Sequence, residues 1–239
     1  MDVAQYGGCI ILRVIVANFG NDSVALMAYA AQHKWSQIYV VSVDTGFAHP
    51  DWSERVGLAE RYARSLGFTV LRLTAQPDFV NLVRAQGEFP TPKFQWCAVY
   101  LKGDTLRLWL EQVDPLKTAE IILPRRRSHS PQFAQLPEYL EQDESFAERR
   151  IWHPLYQHSE LETRALVETT PLDWLPHRSL ECDPCVNSSI AALNRADSRI
   201  QARVAALEHE LGEPFLQKTT VDKPFIFDMG CGSPYGCGL

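Results

Sequence analysis

The sequence predicts an α/β fold built on a doubly wound parallel sheet, and three observations support this prediction. Short apolar runs alternate with segments whose apolar residues recur at helical spacing. The first run, rich in β-branched residues, leads through a short glycine-containing turn into a helical pattern. Polar turns follow three of the runs, as they do at the carboxyl ends of parallel strands. Strand–helix alternation of this kind places helices on both faces of one sheet.

In chain order, residues 11–17 form the first predicted strand and residues 24–33 the first helix. Residues 38–43 follow as a second buried strand. Residues 52–66 form a helix that stops at Gly67. Strands at residues 69–73 and 119–123 enclose helices at residues 79–85 and 101–110. A strong helix at residues 195–211 stops at Gly212.

The alternation ends near residue 128, where proline-punctuated segments begin, and the chain closes with a glycine-rich tail. We therefore expect a single domain over residues 1–239. Its α/β core would cover residues 1–127, and an irregular, partly helical elaboration that carries most of the cysteines would cover residues 128–239.

Composition narrows the class of protein. Of the 239 residues, 46% are hydrophobic and 22% are charged, which is typical of a globular domain. No apolar run approaches the roughly 18 to 20 residues needed to cross a bilayer, and the first residues lack the features of a secretory signal. The cytoplasm is therefore the expected location, with no membrane contact. The net charge of −6 supplies no long-range attraction to nucleic acid, which would need a local basic patch or a partner.

The turn after the first predicted strand has the composition of an anion-binding loop, Asn18-Phe19-Gly20-Asn21-Asp22-Ser23. Because Gly20 lacks a Cβ, we expect its backbone to approach an anion closely and to adopt dihedrals that other residues avoid. The free amides of the next helix would face that anion, and Ser23 adds a hydroxyl donor. Asp22 is a candidate to cap the helix or to reach a metal ion. An ordinary capped strand–turn–helix is the alternative.

Two further turns follow predicted strands, and we expect them to share one crevice with this loop. Asp44-Thr45-Gly46 follows the second strand, and the arginine triplet at residues 125–127 follows the fourth. Guanidinium groups match phosphate and sulfate oxygens, which makes Arg126 and Arg127 candidate ligands. A solvated surface is the alternative for these arginines. Lys102 is a further candidate for contact with phosphate.

Six cysteines occur, and in a reducing compartment we interpret them as metal, redox or sulfur-handling groups. Cys182 and Cys185 form a Cys-x-x-Cys motif with a proline inside, for which Cys97 is a candidate partner. Zinc sites, dithiol redox pairs and iron–sulfur clusters all use this motif. The alternative is that Cys97 is a small buried hydrophobe and that the pair binds zinc with other residues. The other cysteines are Cys9, Cys231 and Cys237.

Taken together, these motifs resemble those of the PP-loop proteins, a superfamily of adenine nucleotide α-hydrolases that includes the phosphoadenylyl-sulfate reductases. Their loop reads Ser-Gly-Gly-x-Asp-Ser or Ser-Phe-Gly-Lys-Asp-Ser, whereas this chain has Asn18 and Asn21 where serine is usual and lysine is frequent. The remaining motifs follow in the family's order over most of the chain: Asp44-Thr45-Gly46, the segment from Cys97 to Lys102, Arg126-Arg127-Ser128-His129-Ser130, and Cys182 to Cys185.

The resemblance implies a Rossmann-like fold that binds ATP with Mg²⁺. The nucleotide would be held by the loop at residues 18–23, the turn at residues 44–46 and Lys102. In the cluster-bearing reductases, a pair of adjacent cysteines and a later Cys-x-x-Cys ligate a [4Fe-4S] cluster, and Trp96 stands here in place of the first of that pair. The implied ligands are Cys97, Cys182, Cys185 and a fourth, which is Cys231, Cys237 or a site left open on one iron.

The resemblance also implies an activity. Members that cleave ATP between its α and β phosphates keep the Asp-Ser pair, as this chain does at Asp22 and Ser23. The expected enzyme is an ATP pyrophosphatase that adenylates an acceptor for sulfur incorporation, as in DNA phosphorothioation. Its implied partners are a cysteine desulfurase or other sulfur donor and a DNA or tRNA acceptor reached through a complex. The implied catalytic residues are Asp22, Ser23, Arg126, Arg127 and Cys237.

Two alternatives remain. The chain would be a thiol-dependent phosphoadenylyl-sulfate or adenylyl-sulfate reductase if Cys237, near the end of the tail, is the nucleophile. It would be a non-catalytic scaffold that binds nucleotide and cluster for a desulfurase if the asparagines in the loop have removed catalysis.

Overall fold

A computed structural model describes residues 11–92, 94–129 and 133–216. It contains one six-stranded sheet in the order β3-β2-β1-β4-β6-β5. The strands are β1 (Arg13–Val16), β2 (Ile38–Asp44), β3 (Thr69–Thr74), β4 (Glu120–Ile122), β5 (Tyr139–Asp143) and β6 (Arg149–Trp152). The α-helices are α1 (Asn21–Gln32), α2 (Trp52–Ser65), α3 (Phe79–Gln86), α4 (Asp104–Val113), α5 (Glu160–Glu168), α6 (Ile190–Asn194) and α7 (Ser198–Leu211).

The predicted α/β fold with a mainly parallel sheet is confirmed. β1 lies between β2 and β4 and is parallel to both. β2 also pairs with β3, and β4 with β6, in parallel. β5 departs from this pattern because it runs antiparallel to β6. The carboxyl ends of β1, β2 and β4 therefore meet at the same edge of the sheet, as the sequence predicts.

The sheet continues beyond the point where the sequence analysis placed its last strand, at residue 123. β5 and β6 come from the region that was expected to be irregular. Their sequences explain the omission, since Tyr-Leu-Glu-Gln-Asp and Arg-Arg-Ile-Trp are too polar to stand out as buried strands. β5 is an edge strand, where charged side chains are tolerated and protect the sheet from pairing with another chain.

Two hydrophobic layers hold the helices against opposite faces of the sheet. One layer contains the side chains of α1, including Leu26 and Met27, both fully buried, with residues of α2 and α5. The other contains Leu106 and Leu110 of α4, which pack with Ile121 of β4. Burial on both faces is the arrangement expected of a parallel sheet. A third cluster, which includes Phe47, Phe79 and Phe215, packs α3 and α7 together beyond the end of β2.

The predicted helix at residues 101–110 differs from the structure in its first turn. A π-helical turn, Ala98–Gly103, precedes α4. Such turns are rare and recur at functional sites, and this one lies directly after Cys97. Among the described residues, no helix is both long enough and apolar enough to cross a membrane.

Candidate functional site

The loop between β1 and α1 is organised by the side chain of Asn18. Its Oδ1 accepts hydrogen bonds from the backbone N of Gly20 (2.9 Å) and from Oγ of Ser23 (3.0 Å). Its Nδ2 donates to Oγ of Ser179 (3.1 Å). Asn18 therefore supports the loop from within, which the asparagine amide can do because it donates and accepts at the same time.

The expectation that Gly20 adopts dihedrals closed to other residues is wrong. Gly20 has φ −70° and caps α1 with ordinary extended backbone, whereas Phe19 has φ 59° in the left-handed region. Space favours glycine instead, since a Cβ at Gly20 would lie 3.2 Å from Oδ1 of Asn18 and 3.3 Å from Cβ of Ser179, and these neighbours would have to move by a few tenths of an ångström. Phe19 tolerates its conformation because its ring is buried in the core and Arg55 Nε donates to its carbonyl at 2.8 Å.

Asp22 does not cap α1, because Gly20 is the N-cap and no side chain caps it. The carboxylate instead joins the loop to the turn after β4. Its Oδ1 accepts from Nε of Arg126 at 2.8 Å, and its Oδ2 lies 3.3 Å from Nε2 of His129. Asp22 and Arg126 are both buried. A guanidinium is thus held beside the first turn of α1, where the helix dipole already favours an anion.

The three arginines of this turn have different environments. The Arg125 guanidinium lies 4.3 Å from the ring centre of Phe133. Arg127 is exposed, and its Nη1 donates to Oε1 of Gln157 at 3.2 Å. Of the two arginines predicted as ligands, the structure therefore joins Arg126 to the loop and directs Arg127 elsewhere. His129 was missed as a site residue, since only the fold brings it to Asp22.

A segment that includes Leu175, 154 positions beyond Asn21, lies against the loop. The side chain of Asn21 exchanges two hydrogen bonds with the backbone of Leu175, both 2.9 Å long. Arg55 Nη1 donates to the carbonyl of Asp173 at 2.9 Å, while its Nη2 is buried without a partner among the described residues. Burial lowers the pKa of Arg55 to about 10, although Asp173 opposes this shift. The side chain of Asn21 is thus engaged with the protein backbone.

A cavity of about 310 Å³ opens between this loop, the end of β2 and the start of α2. Its walls combine apolar side chains with a few polar ones. They include Phe19, Ser42, Asp44, Gly46, His49, Trp52, Val56, Arg72 and Glu181. The hydroxyl of Ser42 is buried and has no partner among the described residues. The size and mixed lining are those of a small-molecule site.

The turn after β2 connects this cavity to a second one. Gly46 has φ +71°, and a Cβ there would lie 2.8 Å from Cβ of Asp78, so both backbone and space require glycine. The neighbouring Thr45 is buried, and its Oγ1 lies 3.2 Å from Sγ of Cys182. The predicted turn at residues 44–46 therefore touches both cavities.

The second cavity is lined by three thiols, those of Cys97, Cys182 and Cys185, together with Thr45 and Lys102. It measures about 20 Å³, which is roughly the space of one water molecule. Burial raises the pKa of Cys97 to about 12 and that of Cys182 to about 11. Lys102 opposes both shifts because its charge favours the thiolate. The structure thus brings together the three cysteines that the sequence analysis grouped.

One carboxylate links the two cavities. Glu181, next to Cys182 in sequence, accepts from Nζ of Lys102 at 2.6 Å and from Nδ2 of Asn18 at 3.3 Å. The side chains of Lys102 and Glu181 are 9% and 12% exposed, so water screens this ion pair weakly. Glu181 was also missed from the sequence, in which a lone glutamate beside a cysteine carries no signal. Lys102 lines the thiol cavity and reaches Glu181 in the wall of the first cavity, and its contact with phosphate stays a prediction.

The predicted roles of Cys231 as a cluster ligand and of Cys237 as a nucleophile fall outside the described residues. In the part of the chain that is described, no group of three or more histidine, cysteine, aspartate or glutamate side chains is arranged to hold a metal ion. The three thiols share a cavity without forming a ready-made site for a single ion.

The chain is similar in sequence to a curated phage protein. No protein-family model matches the chain. Over 154 residues the chain is 27% identical to an uncharacterized 37.8 kDa protein in the gpa 5′ region of Escherichia phage 186. The match covers 62% of this chain and 45% of that protein, so the chain spans less than half the length of this relative.

Solved structures give a likeness of fold. The U34-tRNA thiolase NcsA from Methanococcus maripaludis, solved with its [4Fe-4S] cluster, superposes with a TM-score of 0.52 at 14% identity, covering 89% of this chain and 76% of the thiolase. A phosphoadenylyl-sulfate reductase from Candida auris, solved with phosphate, gives a TM-score of 0.49 at 14% identity and covers 68% and 75% of the two chains. The likeness to the thiolase shows that this chain has the adenine nucleotide α-hydrolase fold.

Proposed function

We propose that this chain is a PP-loop ATP pyrophosphatase, which cleaves ATP to AMP and pyrophosphate and so adenylates an oxygen of an acceptor. Sulfur would then replace that oxygen in the thiolation of a nucleic acid, such as DNA phosphorothioation. One observation carries the proposal. The loop with its 310 Å³ cavity and the pocket of three thiols adjoin, and Glu181 and Cys182 occupy successive positions between them. A nucleotide and a sulfur-handling group would therefore lie side by side.

The residues of the loop suit a triphosphate. The free amides at the start of α1 would bind its oxygens, and Ser23, whose hydroxyl donates to Oδ1 of Asn18, would hold the loop in shape beneath them. Arg126, held by Asp22, would stabilise the charge that develops on the transferring phosphoryl group and on the departing pyrophosphate. Mg²⁺ would enter with the phosphates and neutralise part of their charge. These groups are positioned before ATP arrives, which reduces the reorganisation needed in the transition state.

The donor set around the thiol cavity suits an iron–sulfur cluster, and the cavity of about 20 Å³ would have to widen to admit one. Three soft thiols line the cavity and its lining contains neither carboxylate nor imidazole, which suits iron–sulfur chemistry. Cys97, Cys182 and Cys185 would hold three irons, with Cys231 or an exogenous sulfur ligand on the fourth. A cubane carries its ligands on separate irons, so its thiolates need not converge on one point. The cluster would supply the site at which the sulfur atom is held for transfer.

Partners follow from this chemistry. The sulfur atom has to come from a cysteine desulfurase or another donor. Because the chain carries a net charge of −6, a DNA or tRNA acceptor would be presented by a complex rather than attracted by the chain alone. The thiolase with the same fold supports a nucleic acid as the class of acceptor, since its name gives tRNA as its substrate. A cytoplasmic location belongs to the same proposal.

The test is pyrophosphate release from ATP and Mg²⁺ by anaerobically purified protein. We expect release by the parent chain and its loss in Asp22→Ala and Ser23→Ala. Asp104→Ala is the matched control, because Asp104 is also an aspartate in the first turn of a helix, paired with an arginine, but it lies in α4. Sulfite release from a sulfonucleotide with reduced thioredoxin, without ATP turnover, would establish the reductase alternative. ATP binding without either turnover would establish the scaffold.

The cluster is tested separately. Protein purified without oxygen should be brown, and Cys182→Ser and Cys97→Ser should lose iron and visible absorbance. Cys9→Ser is the control, since Cys9 matches no ligand position of the related proteins. A colourless protein with stoichiometric zinc would contradict the iron–sulfur assignment.

A further inference from the structure

The segment between α5 and the Cys-x-x-Cys motif lies against the loop and leads to the thiols. Residues 173–181, hereafter the strap, form neither helix nor strand and lead directly into Cys182. Within the strap, the backbone of Leu175 exchanges two hydrogen bonds with the side chain of Asn21 in the loop. The part of the chain that carries two of the thiols is thus held against the part that would hold the phosphates.

Asn18 makes a second connection between loop and strap, and it uses both ends of one amide. Its Oδ1 accepts hydrogen bonds from Gly20 and Ser23 within the loop. Its Nδ2 donates to Oγ of Ser179 at 3.1 Å and to Oε1 of Glu181 at 3.3 Å, both in the strap. Because the amide group is planar, a rotation that breaks one set of hydrogen bonds also displaces the other.

Glu181 extends this connection to the thiols. Its Oε1 accepts from Nζ of Lys102 at 2.6 Å, and Lys102 lines the thiol cavity. Its carbonyl accepts from Oγ1 of Thr45 at 3.3 Å, and the same hydroxyl lies 3.2 Å from Sγ of Cys182. Hydrogen bonds therefore run without a break from the loop, through Asn18 and Glu181, to the wall of the thiol cavity.

We propose that Asn18 is a positioning residue that couples the two cavities, so that a nucleotide on the loop holds the strap and its thiols in the arrangement that the structure shows. Oδ1 of Asn18 shapes the loop, and the strap fixes Asn18 through Nδ2. Opening of the strap would release Asn18 and lower the affinity of the loop for phosphate. A ligand that prefers the shaped loop therefore stabilises the closed strap, and the effect is reciprocal.

The coupling has a consequence for sulfur transfer. A sulfur donor would reach the thiols most easily while the loop is empty, because the strap then opens more often. Once a nucleotide is bound, the thiols would be closed to other reactants. The inference rests on the proposed function for the identity of the loop as a nucleotide site and of the thiols as the sulfur site.

A nucleotide could also alter the thiols without Asn18, by covering them or through its charge. Either of these effects would survive the replacement of Asn18, whereas coupling through the strap would not. Serine is a suitable replacement, because its hydroxyl can still accept hydrogen bonds within the loop but is too short to reach Ser179 and Glu181 together.

The experiment measures alkylation of Cys182 and Cys185 by iodoacetamide in the metal-free chain, with and without α,β-methylene-ATP and Mg²⁺. This analogue resists cleavage between its α and β phosphates, and mass spectrometry reads each cysteine separately. Partly closed thiols react through local opening, so we expect the analogue to slow alkylation of the parent chain at least about fivefold. In Asn18→Ser, calorimetry should still detect binding of the analogue, but alkylation should be equally fast with and without it. Ser179→Ala should narrow the difference.

Asn187→Ser is the matched control. Asn187 lies two positions after Cys185, and its side chain exchanges hydrogen bonds of 3.2 Å and 3.4 Å with Gln95, two positions before Cys97. Among the described residues, these hydrogen bonds lead to the thiol segments rather than to the loop. We expect this variant to speed alkylation by loosening the thiols, but to leave the slowing by the analogue unchanged as a ratio.

Equal slowing in the parent chain and in Asn18→Ser would overturn the inference, as would a parent chain that binds the analogue without slowing, or loss of the effect in Asn187→Ser as well. If Asn18→Ser fails to fold, Ser179→Ala carries the test, since it leaves the hydrogen bonds within the loop intact, and an unchanged ratio there would reject the coupling.

The outcome is separable from that of the proposed function. A parent chain that does not bind the analogue would reject the nucleotide site and the coupling together. Slowing without pyrophosphate release from ATP would reject the enzyme and retain the coupling. Pyrophosphate release without slowing would reject only the coupling.

Discussion

Nε of Arg126 donates to Oδ1 of Asp22 across 2.8 Å, a contact between residues 104 positions apart in the chain. Because β4 pairs directly with β1, the turn after one strand meets the helix that follows the other. The consequence is a buried cation beside the free amides of α1, which is the arrangement needed for a phosphate chain.

We expect the two side chains to be energetically coupled. Asp22→Asn, Arg126→Gln and the double variant form a double-mutant cycle, and urea unfolding should give a coupling free energy of about 1–3 kcal/mol, since a buried charge is costly once its partner is removed. The pair Asp104–Arg107 serves as the reference, because both side chains are about 40% exposed and water screens their attraction. Coupling no larger than in this reference pair would contradict the buried contact.

Glycine at position 46 should be required for stability. Gly46→Ala combines a positive φ with an overlap against Asp78, so we expect a loss of about 2–4 kcal/mol in the free energy of unfolding. Gly67→Ala separates the two effects, since Gly67 has φ +79° and nothing within 4 Å of the new Cβ. It should cost only about 1 kcal/mol. If urea unfolding gave the same loss of unfolding free energy for Gly46→Ala and Gly67→Ala, the overlap with Asp78 would be relieved without cost.

Asn21 should act as a clamp on the segment at residues 173–175. Asn21→Ala removes two hydrogen bonds and leaves the backbone groups of Leu175 without these partners, so we expect a loss of about 1–3 kcal/mol. The control is Asn81→Ala, at an exposed position of α3, which should leave the free energy of unfolding nearly unchanged. Limited proteolysis should cut the Asn21→Ala variant faster near residue 175. An unaltered cleavage rate would show that other contacts hold the segment.

A buried histidine should make the fold sensitive to acid. His153 is 2% exposed, and burial lowers its pKa to about 4, although the carbonyl of Pro137 opposes the shift. The unfolded chain takes up the proton near pH 6.5, whereas the folded chain does so only near pH 4. Stability is therefore fully present above pH 6.5 and falls, by a quantity on the order of 3 kcal/mol, as the pH drops from 6.5 to 4.

His153→Gln should flatten this part of the dependence of unfolding free energy on pH. The control is His33→Gln, which replaces an exposed imidazole at the end of α1. An acid sensitivity that is the same in the parent chain and in His153→Gln would place its origin in the carboxylates instead.

Sequence reasoning located most of the site's elements because their signals are local. The strand before Asn18, the glycine turn after β2 and the Cys-x-x-Cys motif each depend on a few consecutive residues. Predictions from local patterns fail where a distant residue decides the conformation. Gly20 was expected to supply the unusual backbone, but Phe19 does so, since its buried ring and its hydrogen bond to Arg55 come from distant parts of the chain.

The hydrogen-bond partners of the site's side chains could not be derived from the sequence. The resemblance implies that Asn21 belongs to the loop that holds the nucleotide, and its side-chain amide contacts the backbone of Leu175. It implies a contact with the nucleotide for Lys102 as well, and Lys102 donates to Glu181 between the two cavities. Neither contact has a sequence signature, because each joins residues that are far apart in the chain and meet only after the sheet has assembled.

By itself, the sequence determined the α/β class, the position of the loop after β1 and the grouping of three cysteines. Hydrophobic periodicity and turn-forming residues are properties of short stretches of chain, so they can be recognised without the fold. Only the tertiary structure decided which polar side chains meet: Asp22 with Arg126, and Glu181 with Asn18 and Lys102. Strand order sets the first pairing, because β4 lies beside β1, and the packing of the chain after α5 against the loop sets the others. Both arise from packing across the whole fold rather than from any local segment.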